Sequence, residues 1–411
     1  MEQEIFTHVF DNGFTLLAER MTHVRSAAFG ISIPCGAVDD PAEKLGLSTI
    51  SLDLATRGAG TRGNRELSDA FDQLGVDRSE SANKEYHSFA CSLLGRNLFP
   101  AMELYADMIQ RPHLPADDLD ASKAISLQEI AGLEDEPMGK VMSELSKAYY
   151  PDPLSRDSNG TVAGIENITH VDVQNFITRH YHARGVVLAV AGDFEWNALL
   201  DRVGQLFGTW RTDVRQPRNY PDFTPTSRHV QKELDQTQIA FAFPAVAMNH
   251  PDALAARMAT AVLSMDMSSR LFMNVREKYG LCYSVQAFYQ GKRYRGDIIG
   301  MAAARPDKAQ ETLDRTLAEI HNLSQGIDAE ELDRVKIGVK SALIMSQEST
   351  ASRASSLSSD WRIYDRIRLL EEIRNEVEAM TIEQVLEYVR SHPTAPISLA
   401  TLGPAPLQLT V

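Results

Sequence analysis

Alternating apolar and polar positions open the chain and give way to helical periods further on. The first residues, MEQEIFTHVFDNGFTLL, alternate in a way that predicts a strand, and AAFGISIP predicts another. VVLAVAGDF, from Val186 to Phe194, is a continuous apolar run typical of a buried strand, and the amphipathic helix pattern WNALLDRVGQLFGTW follows it. The chain ends on a further apolar strand, PISLATLG. This mixture of strands and helices predicts an α+β protein.

The strand and helix patterns occur twice. AAFGISIPCGAVDDP in the first half matches TQIAFAFPAVAMNHP in the second, with Pro34 and Pro244 at corresponding strand ends. Later in each half, a long helical pattern leads through a turn to an acidic helix start. We therefore predict two similar domains, residues 1–212 and 231–411. The polar linker 213–230 between them lies in a stretch with three prolines, RTDVRQPRNYPDFTPTSRHV.

Composition narrows the class of protein. The 411 residues include 43% hydrophobic and 24% charged side chains, as in ordinary globular proteins. A net charge of −15 argues against a nucleic-acid partner, which needs a basic surface. The sequence has no apolar run long enough for a membrane span, and its acidic start is unlike a signal peptide, so we predict a cytoplasmic protein. The scattered cysteines Cys35, Cys91 and Cys282 are predicted to be buried thiols.

A helix is predicted from Gly46 to Gly58, GLSTISLDLATRG, and its context resembles a known family. Three further segments agree with that resemblance in order and spacing: FDNGFTLLAE, GIENITHVDVQNFITRHYHARGVVLAVAGD and SSRLFMNVREKYGLCYSV. Over nearly its full length the chain resembles the zinc metallopeptidases related to pitrilysin, insulin-degrading enzyme and mitochondrial processing peptidase. The resemblance implies two homologous α/β-roll domains, each a mostly antiparallel sheet with helices packed on one face.

The family's zinc motif is missing from the predicted helix. In H-x-x-E-H, two His on one helix face bind zinc and the Glu activates water. The corresponding residues here are Thr49, Leu52 and Asp53, and the position of the third ligand, on a later helix, holds Glu129. Leucine cannot take a proton, and two carboxylates do not make this three-ligand site. The resemblance thus implies a chain that binds no metal in this half and cannot cut peptides alone.

Another pair of family residues is retained in the second half. Arg276 and Tyr283 match an Arg and a Tyr, seven positions apart, that in complete members reach the zinc site of an N-terminal half. A guanidinium offers fixed donors for a peptide carbonyl or carboxylate, and a phenol can donate to a developing oxyanion. The resemblance therefore implies that this chain binds substrate in trans, at a site that another chain completes.

Other candidate sites in the sequence are weaker. His180 and His182 have an H-x-H spacing, but they lie in a family-like stretch without a metal role. No G-x-S-x-G, phosphate-binding or dinucleotide-binding glycine motif occurs in the sequence. The mitochondrial non-catalytic subunit of the family carries a long glycine-rich loop for presequences. The equivalent stretch here, AVLSMDMSSRLF, is short and contains no glycine, which argues against presequence recognition.

Three functions remain open from the sequence. The first is a non-catalytic subunit that closes a clam-shell chamber with a zinc-bearing homologue, so that zinc lies in the partner and peptides are the substrates. The second is a structural or peptide-binding homodimer, because core subunits of a respiratory complex use this fold as a scaffold. The third is an autonomous peptidase with a displaced metal site, which stoichiometric zinc in the purified chain would support.

Overall fold

Eleven strands among the described residues form two separate sheets. The computed structural model describes residues 3–215, 218, 220–221 and 224–410. One sheet has the order β1-β2-β6-β3-β5-β4 and the other the order β7-β11-β8-β10-β9. The strands are β1 (Glu4–Val9), β2 (Thr15–Arg20), β3 (Ser26–Ile33), β4 (Asp77–Ala82), β5 (His87–Leu94), β6 (Val187–Gly192), β7 (Ser227–Gln231), β8 (Thr237–Ala245), β9 (Cys282–Gly291), β10 (Gly296–Ala304) and β11 (Ser398–Gly403).

Helices flank both sheets. Several begin at the capping signals that the sequence provides, such as the Thr-x-x-Asp box of α7 and the Thr-x-x-Gln box of α14. The helices are α1 (Leu47–Ala55), α2 (Asn64–Leu74), α3 (Leu98–Gln110), α4 (Leu119–Leu133), α5 (Pro137–Tyr149), α6 (Val162–Glu166), α7 (His170–His180), α8 (Trp196–Phe207), α9 (Ala253–Ser264), α10 (Ala309–Asn322), α11 (Ala329–Ser346), α12 (Thr350–Tyr364), α13 (Leu370–Ala379) and α14 (Ile382–Ser391). No helix in these described ranges is both long and apolar enough to cross a bilayer.

The two sheets share one topology. β2 runs parallel to β6 as β7 runs parallel to β11, and the remaining pairs in the common order are antiparallel in both sheets. β1 is an additional edge strand of the first sheet. The repeated order confirms the predicted duplicated α+β fold of two mostly antiparallel sheets.

Each sheet has its own apolar core. In the first, the ring of Phe14 stacks on Phe207 of α8 at 4.7 Å, and Tyr105 of α3 meets the edges of Phe29 and Phe71 at 5.2 and 5.1 Å. In the second, helices α9, α10, α11 and α14 supply buried apolar side chains against β8–β10. Burial of these aromatic and aliphatic groups supplies the main favourable free energy of each fold.

The compact units do not follow continuous halves of the chain. Unit 1 comprises the described residues of Met1–Gly132, Asp152–Tyr220 and Ser346–Trp361. Unit 2 comprises Leu133–Pro151 and the described residues of Pro221–Met345 and Arg362–Val411. The sequence prediction, 1–212 and 231–411, did not include this exchange of α5 and most of α12. Of the predicted linker 213–230, residues 216–217, 219 and 222–223 lie outside the described residues.

Candidate functional site

Helix α1 occupies the position of the zinc-binding helix in the family that the sequence resembles. The buried carboxylate of Asp40 fixes its start. Asp40 accepts hydrogen bonds from the backbone N–H groups of Gly46 and Ser48, both at 2.8 Å. Gly46 has φ of 105°, a left-handed conformation that favours glycine. Burial raises the pKa of Asp40 to about 7, although the two N–H donors oppose that shift. The helix begins at Leu47 because these donors have an acceptor there.

The three degenerate motif positions have structural partners. Thr49 donates its hydroxyl hydrogen to the carbonyl of Ser158 at 2.5 Å, and Leu52 is 5% exposed. Asp53 accepts from Arg57 Nε at 3.0 Å. This part of α1 therefore packs as an ordinary helix.

Asp53 connects α1 to helix α4, whereas Glu129 of α4 does not. Asp53 accepts a hydrogen bond from Ser122 Oγ of α4, which joins the two helices. Glu129, two turns further along α4, is exposed and has no hydrogen bond or ion pair within the described ranges. The same ranges contain no group of three or more His, Cys, Asp or Glu side chains that could hold a metal ion. The structure thus brings Asp53 to Ser122 and leaves Glu129 at the surface.

Metal content follows from this arrangement. We expect the purified chain, loaded with excess zinc and then desalted, to retain far less than one zinc per chain, because an aspartate and a distant glutamate supply too few ligands. Atomic absorption measures this directly. Stoichiometric zinc that survives desalting would instead support an autonomous metallopeptidase.

A buried histidine ties α1 to the sheet of unit 1. Ser48 Oγ lies 2.7 Å from His87 Nε2, and Tyr181 Oη lies 2.8 Å from His87 Nδ1. Burial, with a smaller contribution from His180, lowers the pKa of His87 to about 3, so the ring is neutral at pH 7. This chain of hydrogen bonds could not be predicted from local patterns, because Ser48, His87 and Tyr181 lie far apart in the sequence. His180 and His182 are also neutral, because burial lowers the pKa of each to about 4.

Arg276 and Tyr283 lie on two irregular backbone segments of unit 2. Arg276 is in a π-helical segment, Leu271–Glu277, a conformation that occurs often at functional sites. Tyr283 follows in edge strand β9. The register shifts there, because Cys282 pairs with Ala304 and Ser284 with Ala303, so Tyr283 is an extra, bulged residue. A bulge turns a side chain away from the regular pleat, and Tyr283 is 74% exposed.

The structure brings the Arg276 and Tyr283 side chains together. The guanidinium carbon lies 5.5 Å from the centre of the Tyr283 ring and 4.6 Å from that of Phe272. Among the described residues, the nearest carboxylate to the guanidinium is that of Glu277, whose Oε1 lies 3.8 Å from Arg276 Nε. The guanidinium makes no hydrogen bond to any of these residues. The aromatic contacts orient the guanidinium while its N–H donors stay available to a ligand. Sequence alone could not locate Phe272, which the π-helical segment brings against Arg276.

A duplicated two-sheet fold whose helix α1 carries Thr49, Leu52 and Asp53 in place of H-x-x-E-H defines the class as a peptidase-like protein without that zinc motif. Two family models match in succession: "Insulinase (Peptidase family M16)" over residues 15–161 and "Peptidase M16 inactive domain" over residues 167–339. The chain belongs to peptidase family M16, as the resemblance predicted, and is a member without H-x-x-E-H.

Relatives of this chain match over almost its entire length. The "uncharacterized zinc protease YmxG" of Bacillus subtilis is 28% identical over 96% of this chain and 97% of its own. The "uncharacterized zinc protease Rv2782c" of Mycobacterium tuberculosis is 25% identical over 95% of this chain and 91% of its own.

Solved structures share the fold. The peptidase M16 inactive domain from Pseudomonas fluorescens superposes with a TM-score of 0.88 at 21% identity and 99% coverage of both chains. A protease from Helicobacter pylori gives 0.89 at 17% identity, covering 98% of this chain and all of that one. A chain of complex III2 from Candida albicans gives 0.83 at 17% identity, covering 97% and 96%.

Proposed function

We propose that this chain is the non-catalytic subunit of a two-chain zinc peptidase. Its partner is a zinc-bearing M16 homologue, with which it encloses a chamber for peptide substrates. The observation that carries the proposal is the contrast between two sites. Helix α1 has become a structural helix, whereas Arg276 and Tyr283 remain adjacent and accessible.

The chemistry of the pair fits peptide hydrolysis at a metal that this chain does not bind. The available guanidinium N–H donors can hold a peptide carbonyl next to the scissile bond. The exposed phenol can donate to the oxyanion that forms when water attacks that bond. Neither group can activate water, so the zinc and the general base must come from the partner's H-x-x-E-H helix.

The partner test uses the full chain and the zinc-bearing M16 homologue of the same organism. We expect a 1:1 complex by native mass spectrometry, and cleavage of a quenched fluorescent peptide that exceeds the sum of the two separate rates. Homodimers alone, with no gain in cleavage, would contradict the proposal.

A structural or peptide-binding homodimer is the second candidate. The specific observation in its favour is the fold shared with a chain of complex III2 from Candida albicans. In that case, Arg276 and Tyr283 would bind peptide without any effect on its cleavage. This candidate is favoured if a peptide protects Tyr283 from iodination while the same preparation does not increase the rate of peptide cleavage by a zinc-bearing homologue.

A further inference from the structure

The two exchanged helices are anchored by ion pairs at equivalent positions with opposite polarity. On α12, Arg353 donates from Nε to Glu19 of β2 at 2.8 Å, and its Nη2 lies 2.7 Å from the same carboxylate. On α5, Glu144 accepts from Arg228 Nε of β7 at 2.6 Å. The helix carries the cation in unit 1 and the anion in unit 2.

The positions correspond through the repeat. Glu19 and Arg228 are 209 positions apart, as are Glu144 and Arg353. β2 and β7 each run parallel to the next strand of their sheet, where Glu19 pairs with Ala191 and Arg228 with Ala400, again 209 positions apart. The ion pairs are therefore counterparts.

The apolar contacts of the two helices correspond in the same way. Ala354, next to Arg353, packs in one cluster with Ala28 and Ala191. Leu145, next to Glu144, packs in one cluster with Ala240 and Ala400. Small sheet residues meet the helix at the same place in both units, so packing alone discriminates little between the two helices.

Each ion pair contains a buried carboxylate, and a buried charge without an opposite charge beside it destabilises the fold. Glu19 and Arg353 are 5% and 3% exposed, and Gln3 donates to the second carboxylate oxygen of Glu19. Glu144 is 6% exposed and also accepts from Lys147 at 2.7 Å, while the side chain of Arg228 is about half exposed. A buried carboxylate facing a second carboxylate loses its counter-charge and meets repulsion.

We propose that this reversal of charge selects the partner of each sheet: the first-half sheet accepts the second-half helix and rejects its own. If α5 packed on a first-half sheet, in this chain or in a second copy, Glu144 would face Glu19. If α12 packed on a second-half sheet, Arg353 would face Arg228. Every charge is paired only when each sheet takes its helix from the other half of the repeat. A half that packs its own helix, or two copies of the same half that exchange helices, would bring like charges together.

Charge swaps in the full chain separate this selection from simple stabilisation. E19R/R353E preserves an ion pair in unit 1, yet it also makes each half complementary to itself. Two arrangements then satisfy all charges, so the yield of native monomer after dilution from urea should fall by about half or more. Adding E144R and R228E, with K147E to keep a counter-charge beside position 144, restores like charges within each half and should restore the yield.

Cross-linking shows which helix occupies the first sheet. In a C282S background, A191C is combined with A354C to detect the exchanged arrangement, or with L145C to detect the unexchanged one. A short thiol cross-linker, added during refolding while these positions are still accessible, should join 191 to 354 in chains with the natural charges. The link from 191 to 145 should appear only with E19R/R353E, within or between chains.

Two results would overturn the proposal. E19R/R353E could refold with the full yield and only the 191–354 link, which would leave the ion pairs a stabilising role alone. Alternatively, the variant with both pairs reversed could refold as poorly as E19R/R353E, which would mean that the native polarity at Glu19 and Arg353 is required for another reason.

Discussion

Replacing Arg276 by alanine is expected to lower kcat/KM of the mixed peptidase by about 100-fold, because the variant loses the charged donors that hold a peptide carbonyl next to the scissile bond. The guanidinium lies over the rings of Phe272 and Tyr283 and makes no hydrogen bond to a described residue, so its contribution should appear only when a peptide is bound. Tyr283→Phe removes only the phenolic hydroxyl, the proposed oxyanion donor, and should lower kcat and kcat/KM together by about 100-fold to 1000-fold.

Matched controls come from unit 2 itself. Arg374 and Tyr294 are exposed, like the proposed pair, but lie on other segments: Arg374 is in α13 and pairs with Glu371, and Tyr294 is in the turn between β9 and β10, at the opposite end of β9 from Tyr283. R374A and Y294F should leave cleavage within about twofold of the unmodified mixture, as expected for surface changes away from a site. R276A and Y283F should still form the 1:1 complex. Full activity of both variants in a saturated complex would show that the pair has no role in trans.

Acidification should destabilise unit 1 through His87. Its pKa is about 3 in the folded chain and near 6.5 when unfolded, so the unfolded state binds the extra proton as pH falls below 6.5. Stability is therefore lost progressively across that window, by up to about 1.4 kcal/mol per pH unit for this ring. Between pH 6.5 and 4.5 the expected loss is about 2–3 kcal/mol. Hydrogen exchange of β5 amides at the two pH values, compared between the unmodified chain and the variant H87Q, measures this contribution.

The variant H87Q isolates this histidine. Glutamine does not titrate, so the variant should be less stable at neutral pH but lose less stability between pH 6.5 and 4.5. The comparison is needed because other groups titrate in the same window. Asp40 acts in the opposite direction, since its raised pKa of about 7 makes the folded state bind a proton first as pH falls. His180 and His182 act in the same direction as His87, since the pKa of each is lowered to about 4. An identical pH dependence in H87Q and the unmodified chain would show that His87 does not cause the acid sensitivity.

The fold could be predicted from the sequence because its signals are local and repeated. Alternation and apolar runs indicated the strands, and two matching series of elements indicated the duplication. Helix α1 was predicted from Gly46 to Gly58 and is observed over Leu47–Ala55, since Asp40 caps its start and Thr56 its end.

The exchange of α5 and α12 could not be predicted in this way. It depends on contacts such as Glu19 with Arg353, more than 300 positions apart, which leave no trace in a local pattern.

The candidate site was only partly accessible to sequence reasoning. The resemblance supplied Arg276 and Tyr283, but periods of 3.6 and 2 cannot reveal a π-helical segment or an inserted strand residue. Those two irregularities bring the guanidinium to the phenol and expose both. The hydrogen-bonded chain Ser48–His87–Tyr181 could not be predicted either. In the sequence, nothing distinguishes His87 from the other isolated histidines, because its partners Ser48 and Tyr181 lie far from it along the chain.

The most direct test of the central claim is the cleavage rate of a fixed amount of the zinc-bearing homologue as this chain is added. We predict that activity rises and saturates at one equivalent, that the complex contains one zinc per two chains, and that a 1:1 mixture with the R276A/Y283F variant stays near the rate of the homologue alone. An unchanged rate with the unmodified chain, at concentrations where native mass spectrometry shows the complex, would contradict the account.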